Sequence, residues 1–304
     1  MKVTLDLQQL LDEGHVTQDE YQKLSLLAAR STSSLAFNIL IGFGVVAVAG
    51  ATLALVPSAV TAIVLGLLVL IAGVVILRGK PEQWLVLAYI CSLVGALMVG
   101  GGIVAEAEGS LAGFLTVTAL FTAAAILARS SLLAVLATLA LSACLGARTG
   151  YYHASYFLVI REPLLTIILF TILAIGLYQL SKKLAVDHER IALASSRTSV
   201  FLVNFGFWIG SLWGERTVAR EIVISSSVFA VLWAVALVAT ALWAWWRNRR
   251  WVLNTVAVFG GIHFYTQWFE HLGASPGTVL IAGCIALGLA LGLRHINQIM
   301  PAKI

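Results

Sequence analysis

Residues 228–246 read VFAVLWAVALVATALWAWW, a run without a charged residue and without a polar face. Stretches of this kind follow one another along almost the whole chain, separated by short polar breaks. A helix needs about 20 predominantly apolar residues to cross the hydrocarbon core of a bilayer. Strands of a membrane barrel instead alternate apolar and polar over about ten residues. The runs here do not alternate, so helices satisfy them and barrel strands do not. With 60% hydrophobic and 11% charged side chains, the chain also lies far from soluble domains, which carry roughly 25% charge. The expected fold class is therefore all-α, a polytopic transmembrane helical bundle.

Apolar runs predict about ten spans, at 34–56, 58–78, 84–105, 110–128, 131–147, 163–180, 198–214, 222–246, 251–272 and 277–294. The fifth is near the minimum length, and the turn at Arg129 before it is tight, so spans four and five could form a bent hairpin that does not fully cross. Lys and Arg concentrate in cytoplasmic loops of membrane proteins. With the N-terminus inside, only Arg148, Arg161, Arg216 and Arg220 of the 19 Lys and Arg fall outside. Both termini are then expected in the cytoplasm. This asymmetry accounts for the net charge of +5, so no nucleic-acid partner is read into it; anionic headgroups of the lipid bilayer are the counter-surface. Five acidic residues among the first 33 are the wrong charge for a signal peptide, which makes the first span an uncleaved anchor. The expected organisation is a cytoplasmic helix-turn-helix at 1–33, a five-span half at 34–147, an outer interfacial loop at 148–162, and a second five-span half with a cytoplasmic tail at 163–304. An odd number of spans per half sets the halves in opposite orientations, the geometry of inverted-repeat transporters.

The best-specified local signal is LDEGHVTQDEYQKL at 11–24. Gly14 can end a first helix in the left-handed conformation. Thr17 and Glu20 then form a capping box, and Val16 packs on Tyr21 as a hydrophobic staple. Leu10, Gly14, Thr17, Glu20 and Tyr21 thus define a short hairpin suited to docking a membrane or cytoplasmic protein partner.

Few strongly polar residues enter the spans. Asn38, Asn204 and Asn254 are explained by amide hydrogen bonds between neighbouring helices. His263, Gln267 and Glu270, in GGIHFYTQWFEHLGASPG at 260–277, follow i, i+4, i+7 spacing and share one helical face. Ionisable residues at membrane depth normally face a bundle interior or a wet cavity, so this face is the candidate lining of an aromatic-walled cavity, with Tyr265 and Trp268 turned toward neighbouring helices. His and Glu seven residues apart offer two ligands at different depths and no third, so no metal site is expected. Cys91, Cys144 and Cys284 lack CxxC spacing and read as small hydrophobes. GSLWG around Ser211 lacks the spacing of a nucleophile elbow, and VGGGIVAEAEG lacks the Lys of a phosphate loop. Neither an enzyme nor a cofactor is expected.

The opening LQQLLDEGHVTQDEYQKLSLLAA resembles a short bacterial helix-turn-helix with a leucine-rich turn, Gly, a β-branched residue, Thr, an acidic pair and an aromatic. Followed by many spans, it is similar to the start of a family of predicted bacterial inner-membrane proteins of unknown function. GYYHASYFLVIREPLLTI and the segment from RRWVLNTVAVFGG to ALGLALGLRH carry further partial likeness. The resemblance implies an inner-membrane location and a polytopic topology, and supplies no catalytic residues. An aromatic followed by an acidic residue in the family's last two spans is matched by Trp268, Phe269 and Glu270. Two functions are expected from these features. One is binding or passage of a small solute or lipid through the cavity of the second half. The other is a non-transporting assembly or regulatory subunit that docks a partner through the hairpin.

Overall fold

The computed structural model describes residues 7–79, 82–146, 148–152, 155–160, 162–216 and 222–299. The end of the expected cytoplasmic tail and the centres of both expected outer loops, at 153–154 and 217–221, lie outside the described residues, as do the side chains of 148–159. Among the described residues the chain is all-α apart from two small hairpins, with one turn of 3-10 helix at Glu82–Trp84. Eleven α-helices follow in order: α1 (Leu7–Asp12), α2 (Gln18–Leu55), α3 (Ala59–Gly79), α4 (Leu85–Glu106), α5 (Leu111–Ala128), α6 (Ser131–Cys144), α7 (Pro163–Ser181), α8 (Val186–Trp213), α9 (Ser226–Trp246), α10 (Arg250–Leu272) and α11 (Pro276–Ile299). Between α6 and α7, β1 (Arg148–Tyr152) pairs antiparallel with β2 (Ser155–Val159), Tyr151 opposite Tyr156. Between α8 and α9, β3 (Glu215–Arg216) pairs with β4 (Ile222–Ile224) across a bulge.

Among the described residues, seven helical segments are long and apolar enough to cross a membrane: those within α2, α3, α4, α5, α7, α9 and α11. Three of the ten expected spans have a different character. α6 has 14 residues, about 21 Å at 1.5 Å per residue. α8 has 28 residues but starts with the polar sequence VDHER, and α10 has 23 residues with Asn254, His263 and Gln267 along it. The helices also run past the apolar stretches. α2 is continuous over 38 residues, so the second helix of the expected N-terminal module and the first span form one rod of about 57 Å.

The chain divides into two compact units, residues 1–144 with 178–195, and residues 145–177 with 196–304. In the first, Leu70, Ala96, Val117, Phe121, Ala125 and Leu133 form the core of α3 to α6. Glycines let α3 and α4 approach to backbone contact: a Cβ at Gly73 would lie 2.6 Å from the Ser92 nitrogen and one at Gly102 2.8 Å from the Ala59 carbonyl. Asn38 is buried on α2. Its amide donates to the Gln83 carbonyl and accepts from the Leu87 nitrogen, satisfying a free donor of the first turn of α4. α5 ends on Arg129 in the left-handed conformation (φ 51°), from which the guanidinium reaches Asp187 at the start of α8. Ser195 donates to the Ala134 carbonyl at 3.3 Å, and Ile191 packs on the core.

In the second unit, Glu215 accepts from the Leu164 nitrogen at 2.9 Å, closing the first turn of α7, and Ser196 of α8 donates to the Ala174 carbonyl at 2.8 Å. Gly210 lets α8 lie against the Phe229 ring of α9. α9, α10 and α11 are joined by turns at 247–249 and 273–275. Connections this short make antiparallel neighbours, so α10 runs back between α9 and α11.

Candidate functional site

Membrane depth leaves a side-chain donor no water to fall back on, so the indole nitrogens of mid-helix tryptophans must find acceptors within the protein. Trp233 of α9 is fully buried and donates to the Asn204 amide oxygen of α8 at 3.0 Å. The Asn204 nitrogen turns back to the Val200 carbonyl at 2.8 Å. Trp208, one turn further along α8, donates to the Thr266 hydroxyl of α10 at 3.0 Å. Phe259 of α10 is buried edge-on against Phe201 and Phe205. These contacts fix α8, α9 and α10 in register around an aromatic cluster with Trp233, Leu237 and Phe259 at its centre.

His263 enters that cluster from α10. Its ring lies edge-on to Trp233 with centroids 4.9 Å apart. Gln267 follows one turn later, and both residues are half-buried. The His263 Nδ1 and Gln267 Nε2 atoms are buried without a hydrogen-bond partner, an arrangement that costs about 1–3 kcal/mol for each group. Glu270, on the same helical face, is exposed near the end of α10. The structure thus sets His263 against Trp233, with the buried amide of Gln267 one turn further along α10, and leaves Glu270 exposed toward the end of that helix. Trp268 donates to the Thr278 carbonyl of α11 at 3.2 Å, while Tyr265 stacks on Phe269 of its own helix. Sequence reading singled out Asn204 and His263 without joining them. Trp233, which touches both, carried a signal in the need of a mid-span indole for an acceptor.

At the other end of the chain, Gly14 takes φ +72°, and the nitrogens of Gly14 and His15 donate to the carbonyls of Leu11 and Leu10 at 3.0 and 2.9 Å. This is the paired bonding of a Schellman turn. Glu20 then accepts from the Thr17 nitrogen at 2.8 Å and its own nitrogen donates to the Thr17 hydroxyl at 3.3 Å, so the capping box is complete. Leu10, Val16 and Tyr21 are half-buried, and Thr17 and Glu20 are exposed. Hydrogen bonds from the backbone and side chain of Thr17, with Lys23 nearby, hold the Glu20 carboxyl below its ordinary pKa.

An open apolar groove of about 470 Å³ in the first unit, lined by Pro57, Ala62, Met98 and Gly101 among others, contains none of these residues. No cluster of three metal-ligating side chains occurs among the described residues, and Cys91, Cys144 and Cys284 are free thiols. Compared with known protein families, curated proteins and solved structures, the chain has no match.

Proposed function

We propose that the chain is a polytopic protein of the bacterial inner membrane, with both termini cytoplasmic, that binds or passes a small polar solute or lipid at the α8–α9–α10 cluster. His263 and Gln267 contact the ligand, and Glu270 stands at the outer mouth. The observation that carries this reading is the pair of buried, unpartnered atoms, His263 Nδ1 and Gln267 Nε2, on residues one helical turn apart on α10, with the His263 ring against Trp233. A single hydroxyl fits the pair: it accepts from the Gln267 amide and donates to Nδ1 of a neutral imidazole. The ligand is therefore expected to be uncharged at that point, with an apolar portion against Trp233. No residue is assigned a catalytic role.

Mass spectrometry of small molecules retained by the purified full chain tests the reading. Wild type should carry a hydroxyl-bearing species that His263→Leu with Gln267→Leu loses. If wild type retains nothing and the double variant melts at the same or a higher temperature, the pair is an internal helix contact, because replacing unpartnered polar groups by apolar ones of similar shape is neutral or stabilising.

A second reading is supported by the N-terminal turn, whose double capping specifies it well beyond what a mere extension of α2 needs. In it, the cytoplasmic hairpin formed by Leu10, Gly14, Thr17, Glu20 and Tyr21 docks a protein partner, and the chain is an assembly or regulatory subunit. Co-purification of a stoichiometric partner with wild type, lost on deleting residues 1–16, would favour it.

A further inference from the structure

The turn between α9 and α10 reads WAWWRNRRW at 243–251. Arg247, Arg249 and Arg250 are exposed there, bracketed by exposed Trp243, Trp245, Trp246 and Trp251. Two further arginines join them. Leu293 of α11 packs on Ala244 and Leu253, which brings the exposed Arg294 to the level of the turn. Arg197 of α8 lays its guanidinium over the Trp251 ring, 5.0 Å from the centroid. From residue 222 onward the only acidic residue is Glu270, toward the opposite end of α10. Five arginines are therefore gathered at one end of this unit.

We infer that this patch is a binding site for the headgroup of an anionic phospholipid. Three features together select that ligand. Indole rings settle in the headgroup layer, so tryptophans on both sides of the arginines place the guanidinium groups at phosphate depth. All five cations are Arg, whose planar fork pairs bidentately with phosphate oxygens where Lys presents only a point charge. The Arg197–Trp251 stack holds one guanidinium in place before a lipid arrives, reducing the side-chain ordering that binding requires. A zwitterionic headgroup brings its own cation and gains less from such a patch. The site is distinct from the His263 cluster and does not depend on it.

Native mass spectrometry of the full chain, titrated separately with phosphatidylglycerol and phosphatidylcholine, tests the inference. Wild type should prefer phosphatidylglycerol. Arg247→Gln, Arg249→Gln and Arg250→Gln combined should weaken that binding by about 100-fold, as expected for three cations near a charged headgroup, and leave phosphatidylcholine binding and the melting temperature unchanged. Should the triple variant not be recovered folded, Arg294→Gln alone carries the test, with an expected loss of about 5-fold. Equal affinity of wild type for the two lipids, or undiminished phosphatidylglycerol binding by the variants, overturns the assignment. Competition by glycerol 3-phosphate as strong as that of the intact lipid also overturns it, in favour of a free phosphate ester.

Discussion

A methyl group added at Gly95 would stand 2.7 Å from the Gly66 carbonyl oxygen and collide with the backbone of Leu70 on α3. Both obstacles are backbone, so no change of rotamer relieves them and the two helices must separate. Gly95→Ala is expected to lose about 1–3 kcal/mol, the usual range for overpacking a tight contact. Gly101 lies on the same helix with nothing within 4 Å of its added Cβ. There the same substitution only removes the backbone freedom of glycine in a helix, so Gly101→Ala should be neutral or stabilising by up to about 1 kcal/mol. Thermal melting of the two variants checks the opposite signs. At Trp233 the accounting concerns hydrogen bonds instead. The Asn204 oxygen answers the only donor of a fully buried indole, which is why an amide is tolerated among apolar helices at that depth.

Helix starts obey a chemistry that does not depend on the membrane. Thr17→Ala removes the acceptor for the Glu20 nitrogen and is expected to cost about 1 kcal/mol at the first turn of α2. Glu20 adds a pH dependence with a definite sign. Its folded-state pKa is depressed, so its contribution is fully present above the ordinary carboxylate range and is lost as the pH falls through the folded value. Lower amide protection, relative to the intrinsic exchange rate at each pH, at residues 18–20 on acidification, absent from Glu20→Gln, is the expected measurement. This cap was legible because Thr-x-x-Glu is a local pattern. The apolar cores of the seven long helices were legible for the same reason, since burial in lipid needs only a run of sufficient length. Their polar extensions were not. α8 begins at Val186, well before the expected apolar start at 198, because Asp187 and Glu189 suit the positive end of a helix in its first turn and Arg190 is a good helix former, while hydropathy counts all three as loop. In the site, the i, i+4 spacing placed His263 and Gln267 on one face. Their wall was hidden because α9 is apolar all round, and no period marks which of its faces Trp233 occupies.

For the whole chain, the side on which each loop emerges depends on whether the 14-residue α6 crosses the membrane. Arg129, just before α6, is ion-paired with Asp187, just after α7, and Ser195 bonds back to the Ala134 carbonyl. Two partners in contact lie on one side of the bilayer, so α6 and α7 must both cross or neither can. α7 has 19 residues and the composition of a span, so α6 is expected to cross with it. At about 21 Å it falls short of a hydrocarbon core of about 30 Å, and a locally thinned bilayer is the expected accommodation. With turns of only three residues at 247–249 and 273–275, α10 is expected to cross between α9 and α11. The Lys and Arg distribution agrees: were α6 to stop short while α7 crossed, Lys182, Lys183 and the arginines at 247–250 would all face outward, against the cytoplasmic bias of basic residues. A cysteine introduced at position 155 should therefore react with a membrane-impermeant thiol reagent in intact cells, and one at position 187 should react only after the membrane is opened. The reverse pattern would mean that α6 does not cross, and the Arg129–Asp187 pair would then have to be absent from the protein in its native bilayer. Labelling at 155 with Arg129→Ala unchanged in stability would retain the topology and reduce the ion pair to an exposed contact of about 0–1 kcal/mol.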